Sequence, residues 1–298
     1  MKYILLFLCI LSLSCKYNVT NPVGTLRDYT AGSGIIYYVS SSAHSTEIAD
    51  ALRKNKHSLG KYKIVVTNSG NSDNILSNIT YVLTNNTYSF SNVEVDISKL
   101  TNLFEITNGA FSNAANLKSI MLSDNVSNIG KNAFSGCSSL SDIRFSNGLT
   151  NISEGAFSNC VSLTLVMLSS EEEMAIEKNA FTGCSNLVNL VLPKNLKSVD
   201  NEAFKYCNQL KNVEYLGTDC QSSSCKSDCK LDCKSNCTST NSNCESNCKA
   251  YICKLSNCKP FSSTPKPSNL YLPNTSKTSD FSNFLGGSWT IYTNHIPN

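Results

Sequence analysis

The sequence predicts an α/β protein: a right-handed solenoid with a parallel sheet along one face, sealed at its N-terminal end by a small α/β cap. Three observations predict it. A six-residue phrase recurs at a near-constant interval, a Leu-x-x-Ile-x-Leu pattern follows each copy, and strand-like segments alternating with helical ones precede the first. The phrase reads GAFSNC at Gly155–Cys160, GAFSNA at Gly109–Ala114, NAFSGC at Asn132–Cys137, NAFTGC at Asn179–Cys184 and EAFKYC at Glu202–Cys207. Its phenylalanines, Phe111, Phe134, Phe157, Phe181 and Phe204, are spaced by 23, 23, 24 and 23 residues. A fixed period of this size marks a coil whose units bury their apolar faces only by stacking on one another.

Taken in chain order, residues 1–14 read as an export signal: Lys2, then an apolar run from Tyr3 to Leu13. That run is too short to cross a bilayer as a helix. With Ser14-Cys15 it resembles a bacterial lipoprotein signal, which implies lipidation at Cys15 and anchoring to a lipid bilayer. The motif is relaxed, with Ser12 where Leu is usual and Leu11 one position earlier, in the manner of spirochaete signals. An ordinary secretory signal is the other reading. Residues 15–34, with Asn21-Pro22, Gly24, Gly32 and Gly34, read as a flexible tether.

Residues 35–100 read as the cap. Strand candidates lie at Ile35–Val39, Lys61–Thr67 and Val93–Ile97. Helix candidates start after Thr46, with Ile48, Ala49 and Leu52 on one stripe, and after Asp73, with Ile75, Leu76, Ile79 and Leu83. Strands joined through helices pair in parallel. Such a unit would seal the core and sheet edge of the first coil.

Residues 101–218 are the repeats. The pattern after each phrase is Leu117/Ile120/Leu122, Leu140/Ile143/Phe145, Leu163/Val166/Leu168, Leu187/Leu190/Leu192 and Leu210/Val213/Tyr215. Its alternating end is the mark of a short strand with one buried face. Asn and Ser suit the turns between. The string I-x-x-x-A-F-x-x-C-x-x-L-x-x-I-x-L resembles the BspA-like, Treponema-type class of leucine-rich repeats over about residues 88–217. The resemblance implies a surface protein that attaches to host or neighbouring cells. Cys137, Cys160, Cys184 and Cys207 share one repeat position and are expected to form a buried ladder of small apolar residues rather than a metal or redox array. Ala114 holds the same position without a thiol, and stacked coils place equivalent atoms about 4.7–4.9 Å apart, wider than the roughly 3.8 Å Cβ separation of a disulfide.

Residues 219–260 change composition abruptly. Nine cysteines fall here: Cys220, Cys225, Cys229, Cys233, Cys237, Cys244, Cys248, Cys253 and Cys258. Few large apolar residues accompany them, so the segment cannot build a core unaided. In an exported protein close cysteines read as disulfide staples of a small module. The rival reading is a thiolate metal site, with Cys225, Cys229, Cys233 and Cys237 as candidates. No histidine joins them, and C-x3-C departs from common zinc spacings. Residues 261–298, with Ser268–Asn274 and Phe281–Asn294, read as the coil resuming into a C-terminal cap, which makes the cysteine-rich stretch an outward insertion.

A formal charge of +3 with 16% charged residues supplies no strong field for nucleic acid. His44, His57 and His295 are scattered, and no P-loop or HExxH motif occurs. No cofactor and no enzymatic activity are therefore expected. The N-x-S/T sequons at Asn78, Asn85, Asn125, Asn151 and Asn274 are read as incidental turn residues. Function is expected on the residues that alternate with the buried ones: Met121, Arg144, Leu165, Met167, Val191 and Glu214 should form a largely apolar stripe that meets a protein or host macromolecule. The resulting expectation is a non-catalytic, lipid-anchored protein of the bacterial outer membrane or cell surface, engaged in adhesion. The alternatives are an exported metal-sequestering protein, a structural envelope protein, and a periplasm-facing placement.

Overall fold

The computed structural model describes residues 19–20, 26–29, 35–67, 74–217, 267–272 and 290–292. Strands β1 (Val19–Thr20), β2 (Leu26–Tyr29) and β3 (Ile35–Tyr37) form a small antiparallel sheet. Two of them fall within the stretch expected as a tether, where Val19, Thr20, Leu26 and Tyr29 supply β-forming residues.

The cap follows as β4 (Val39–Ser40), α1 (Ser45–Leu59), β5 (Lys63–Thr67), α2 (Ile75–Thr84) and β6 (Val93–Asp96). At the start of α1 the Glu47 carboxylate accepts the His44 N–H at 3.1 Å, and Gly60 ends the helix in the left-handed conformation at φ 72°. Asn74 stands at the N-cap position of α2 without a side-chain capping bond; Asp73 lies outside the described residues. The three cap strands are parallel, as the alternation with helices predicts, and β6 pairs directly with the first repeat strand. α2 closes the end of the coil: Thr80 Oγ1 donates to the Ala110 carbonyl, and Asn116 Nδ2 donates to the Leu83 carbonyl at 3.1 Å.

The repeats continue as β7 (Glu105–Ile106), β8 (Leu117–Met121), β9 (Asn128–Ile129), β10 (Asp142–Arg144), β11 (Asn151–Ile152), β12 (Leu165–Met167), β13 (Met174–Ile176), β14 (Asn189–Leu192), β15 (Leu196–Val199) and β16 (Asn212–Tyr215). Further along the chain the same ladder resumes with β17 (Asn269–Tyr271) and β18 (Thr290–Tyr292). The result is a parallel-sheet solenoid of about 8 turns.

Each middle coil carries two strands, not the single strand expected. The first sheet runs through the Leu-x-x-Ile-x-Leu segments. A second, narrower sheet is ordered β15-β13-β11-β9-β7 and is built around Ile106, Ile129, Ile152, Ile176 and Val199, all fully buried. The third side is the Ala-Phe turn. Its five phenylalanine rings stack in one column with centroids 5.0–5.2 Å apart and planes within 4–7°. Offset or edge-on pairs are the usual preference; here the rise of the coil sets the spacing.

The cysteine ladder stands beside this column. Cys137, Cys160, Cys184 and Cys207 donate their thiols at 3.1–3.2 Å to the carbonyls of Phe111, Phe134, Phe157 and Phe181, each one coil back. All four are buried and free. Burial pushes the Cys137 thiol up to about 12 and those of Cys160 and Cys184 well above the ordinary value. These thiols are structural donors. Ala114 holds the first position of the ladder, in the coil that α2 closes.

Two left-handed residues shape every Ala-Phe turn. The first is Gly109, Asn132, Gly155, Asn179 or Glu202; the second is Asn113, Gly136, Asn159, Gly183 or Tyr206. Asn and Gly alternate from coil to coil for a steric reason. The amide oxygens of Asn113, Asn132 and Asn159 would lie 2.4–2.5 Å from a Cβ placed on Gly136, Gly155 and Gly183. These three Asn side chains therefore need a glycine on the coil above them; Asn179, under Glu202, departs from the pattern.

Candidate partner-binding face

The first sheet places alternate residues on its outer face in two rows, because side-chain direction reverses at every residue of a strand. One row reads Met121 and Arg144, then Met167, Val191, Glu214, Tyr271 and Tyr292. The other reads Ser119 and Asp142, then Leu165, Asn189, Asn212, Asn269 and Thr290.

The face is not uniform. No ladder joins β10 to β12 among the described residues, so the first sheet is two five-stranded sheets meeting at a seam. The second sheet runs through the same coils unbroken, and so does the phenylalanine column, with Phe134 and Phe157 5.0 Å apart. The opening is confined to one side. It coincides with Phe145, the one phenylalanine at the position that Leu122, Leu168 and Leu192 hold elsewhere. Its larger ring packs edge-on against Phe157 at 5.7 Å and 76°. Ile143 on β10 is only partly buried, whereas its equivalents Ile120, Val166, Leu190 and Val213 are buried.

At the seam stand Leu165 and Met167, 41% and 53% exposed, with Arg144 exposed across from them and Met121 half-buried beside it. Arg144 Nη1 points at Met121 Sδ, 3.7 Å away, a weak acceptor. Next to Leu165 the face becomes polar and fixed: Asn212 donates to Asn189 at 2.7 Å and Asn269 to Asn212 at 2.8 Å.

The expected stripe is shorter than its six members. Val191 and Glu214 are only 7% and 6% exposed, so they are not part of an accessible surface. In a parallel sheet neighbouring side chains stand about 4.7–4.9 Å apart. A short Val between Met167 and Glu214, and a Glu beside Tyr271, are shielded by larger neighbours; the Tyr271 and Tyr292 rings stack at 5.0 Å on this end of the face. Met121, Arg144, Leu165 and Met167 remain together. Phe104, 62% exposed ahead of β7, was not singled out, since no periodicity distinguishes it from a buried turn residue.

The lipidation candidate Cys15 lies outside the described residues. So do the disulfide candidates Cys220, Cys225, Cys229, Cys233, Cys237, Cys244, Cys248, Cys253 and Cys258, four of which were also the metal candidates. Among the sequon asparagines, Asn78 donates to the Ala43 carbonyl at 3.1 Å, Asn125 to the Thr101 carbonyl at 2.6 Å and Asn151 to Asn128 at 3.1 Å. These amides tie segments of the solenoid together.

The match to a family of known proteins agrees with this architecture. A family model described as "BspA type Leucine rich repeat region" matches residues 104–229 and 171–265 with six copies. The chain is similar to a leucine-rich repeat protein of T. pallidum, at 32% identity over 41% of this chain and 57% of that one, with a TM-score of 0.38. It is also similar to a leucine-rich cell surface protein of Faecalibacterium prausnitzii, at 32% identity over 41% and 31%, TM-score 0.39. A third match is the pneumococcal vaccine antigen PcpA, at 17% identity over 68% and 42%, TM-score 0.43. The chain thus spans less than two thirds of each. No curated protein matches.

Proposed function

The chain belongs to the BspA type leucine-rich repeat family, and from that premise we propose that it is a non-catalytic surface lipoprotein that binds a protein partner, in adhesion to a host macromolecule. Proteins of the leucine-rich repeat class are generally binding proteins without enzymatic activity. The lipoprotein-like signal ending at Cys15 supports export and anchoring. The observation that carries the binding site is the exposure of Leu165 and Met167 side by side at the seam, on a face where Val191 and Tyr271 are covered. Exposed apolar clusters with a polar rim mark partner surfaces; here the Asn189–Asn212–Asn269 ladder is the rim.

The test is a binding assay against a panel of purified extracellular-matrix proteins, with wild-type chain and the double variant Leu165→Ser/Met167→Glu. Exposed residues of this kind alter stability by less than about 0.5 kcal/mol, so the variant should fold like the wild type. A partner of this face should lose about tenfold or more in affinity, as removal of central apolar contacts does. Equal affinity of both proteins for every bound partner overturns the assignment.

A further inference from the structure

We propose that the cap carries a second binding patch, centred on Arg53 and Lys56 of α1, for an acidic polysaccharide. The patch is remote in sequence from the seam and does not rest on the reading given to that face.

Four aromatic rings form a connected chain: Tyr62 to Phe90 at 5.1 Å edge-on, Phe90 to Tyr88 at 5.8 Å stacked within 6°, and Tyr88 to Tyr81 at 6.5 Å edge-on. Two cations lie on it. The Arg53 guanidinium sits over both inner rings, 5.9 Å from the Tyr88 centroid and 5.8 Å from that of Phe90. The Lys56 ammonium sits 5.1 Å over Tyr62 and donates to the Gly60 carbonyl at 2.9 Å. Both cations are exposed. Lys54 and Lys61 nearby are matched, by Asp50 at 2.5 Å and Glu94 at 2.7 Å. Arg53 and Lys56 have no carboxylate partner among the described residues.

A ring orients a cation but leaves its charge in place. The patch therefore offers two uncompensated positive groups that are already held in position, so an anion binding them loses little side-chain freedom. The planar guanidinium suits carboxylate and sulfate oxygens, and the hydroxyls of Tyr62, Tyr81 and Tyr88 add hydrogen-bonding capacity. Single-stranded nucleic acid fits less well. It needs open ring faces on which bases stack, and here the inner faces are taken by Arg53 and by each other. What remains is recognition of anionic and hydroxyl groups without bases, which an acidic polysaccharide supplies.

The experiment immobilises dextran sulfate and neutral dextran and measures binding of the full chain, alongside Arg53→Gln/Lys56→Gln, Tyr81→Ala and the distant control Lys178→Gln. The expected result is binding to dextran sulfate alone, weakened about tenfold by the double variant and unchanged by Lys178→Gln. Tyr81 is 52% exposed, so its replacement leaves the fold intact and should weaken binding about threefold even if the double variant proves unstable. Three outcomes overturn the proposal: equal retention on the neutral polymer, no loss in either cap variant, or an oligothymidylate or poly-glutamate that binds as well with the same sensitivity to the cap variants.

Discussion

At the scale of single residues, the turn of each coil is governed by who may occupy a left-handed backbone position. Gly155 has φ 66° and lies over the Asn132 amide, whose oxygen is 2.4 Å from where a Cβ would be. Gly155→Ala should lose about 2–3 kcal/mol, from the left-handed cost together with displacement of Asn132. Urea denaturation measures it, and repeating it in an Asn132→Ala background should recover the steric share alone. Tyr206, at φ 61°, breaks the Asn/Gly rule in the last of these turns. Tyr206→Asn should gain about 0.5–1 kcal/mol. The thiol ladder gives a pH dependence. The folded Cys137 thiol is pushed up to about 12 from an ordinary value of 9.0, so the unfolded chain releases its proton first as pH rises. Its contribution is whole below about pH 9 and declines toward pH 12. Cys137→Ala should be less stable at neutral pH by about 1–2 kcal/mol, yet fall less steeply between pH 9 and 11. An unaltered slope in alkaline denaturation would contradict that assignment.

At the scale of elements, two joints decide how segments meet. One is Asn55, fully buried on α1, which accepts the Tyr37 N–H at 2.7 Å and donates to the carbonyls of Tyr37 at 3.0 Å and Lys63 at 2.7 Å. It ties β3 and β5 to the helix. Asn55→Ala would leave partly buried backbone groups of Tyr37 and Lys63 without this partner, a loss of about 1–3 kcal/mol, read as a lower denaturation midpoint. The other joint is the seam. Amides of Asp142–Arg144 on β10 should exchange with solvent faster than those of Leu190–Leu192 on β14, which are paired on both sides. Phe145→Leu, restoring the side chain used in neighbouring coils, should slow that exchange; no change would separate the seam from the ring that accompanies it.

At the scale of the molecule, one core runs from Val39 in the cap to Leu272. Each coil's apolar surface is covered by the next, so cap and repeats should melt together. Leu52→Ala in α1 and Phe157→Ala in the middle of the column should each cost about 2–5 kcal/mol and move the same transition, whether followed by circular dichroism or tyrosine fluorescence. Two separated transitions would show that the cap is an independent unit. Placement in the cell is a question at this scale too. Protease treatment of intact cells should digest the chain while periplasmic markers survive; protection until the outer membrane is broken would remove the adhesion reading.

The five-fold recurrence of Ala-Phe determined the coil, its period and the direction of its strands, since equivalent residues 23 apart can bury their rings only by stacking. The cap was legible for a similar reason: Ile48, Ala49 and Leu52 repeat at helical spacing, and Val93 and Val95 alternate as a buried strand edge does. The second sheet was not legible. Its strands at Asn128–Ile129 and Asn151–Ile152 are two residues long, too short to display alternation, and exist only because each coil lays one upon the next. The site was half legible. Side-chain alternation named Met121, Arg144, Leu165 and Met167 as outward, but it named Val191 and Glu214 with equal force. Facing outward is a property of the strand, and so it is written in the sequence; exposure depends on the size of neighbours one coil away and on whether two strands close against each other, which only the tertiary structure decides.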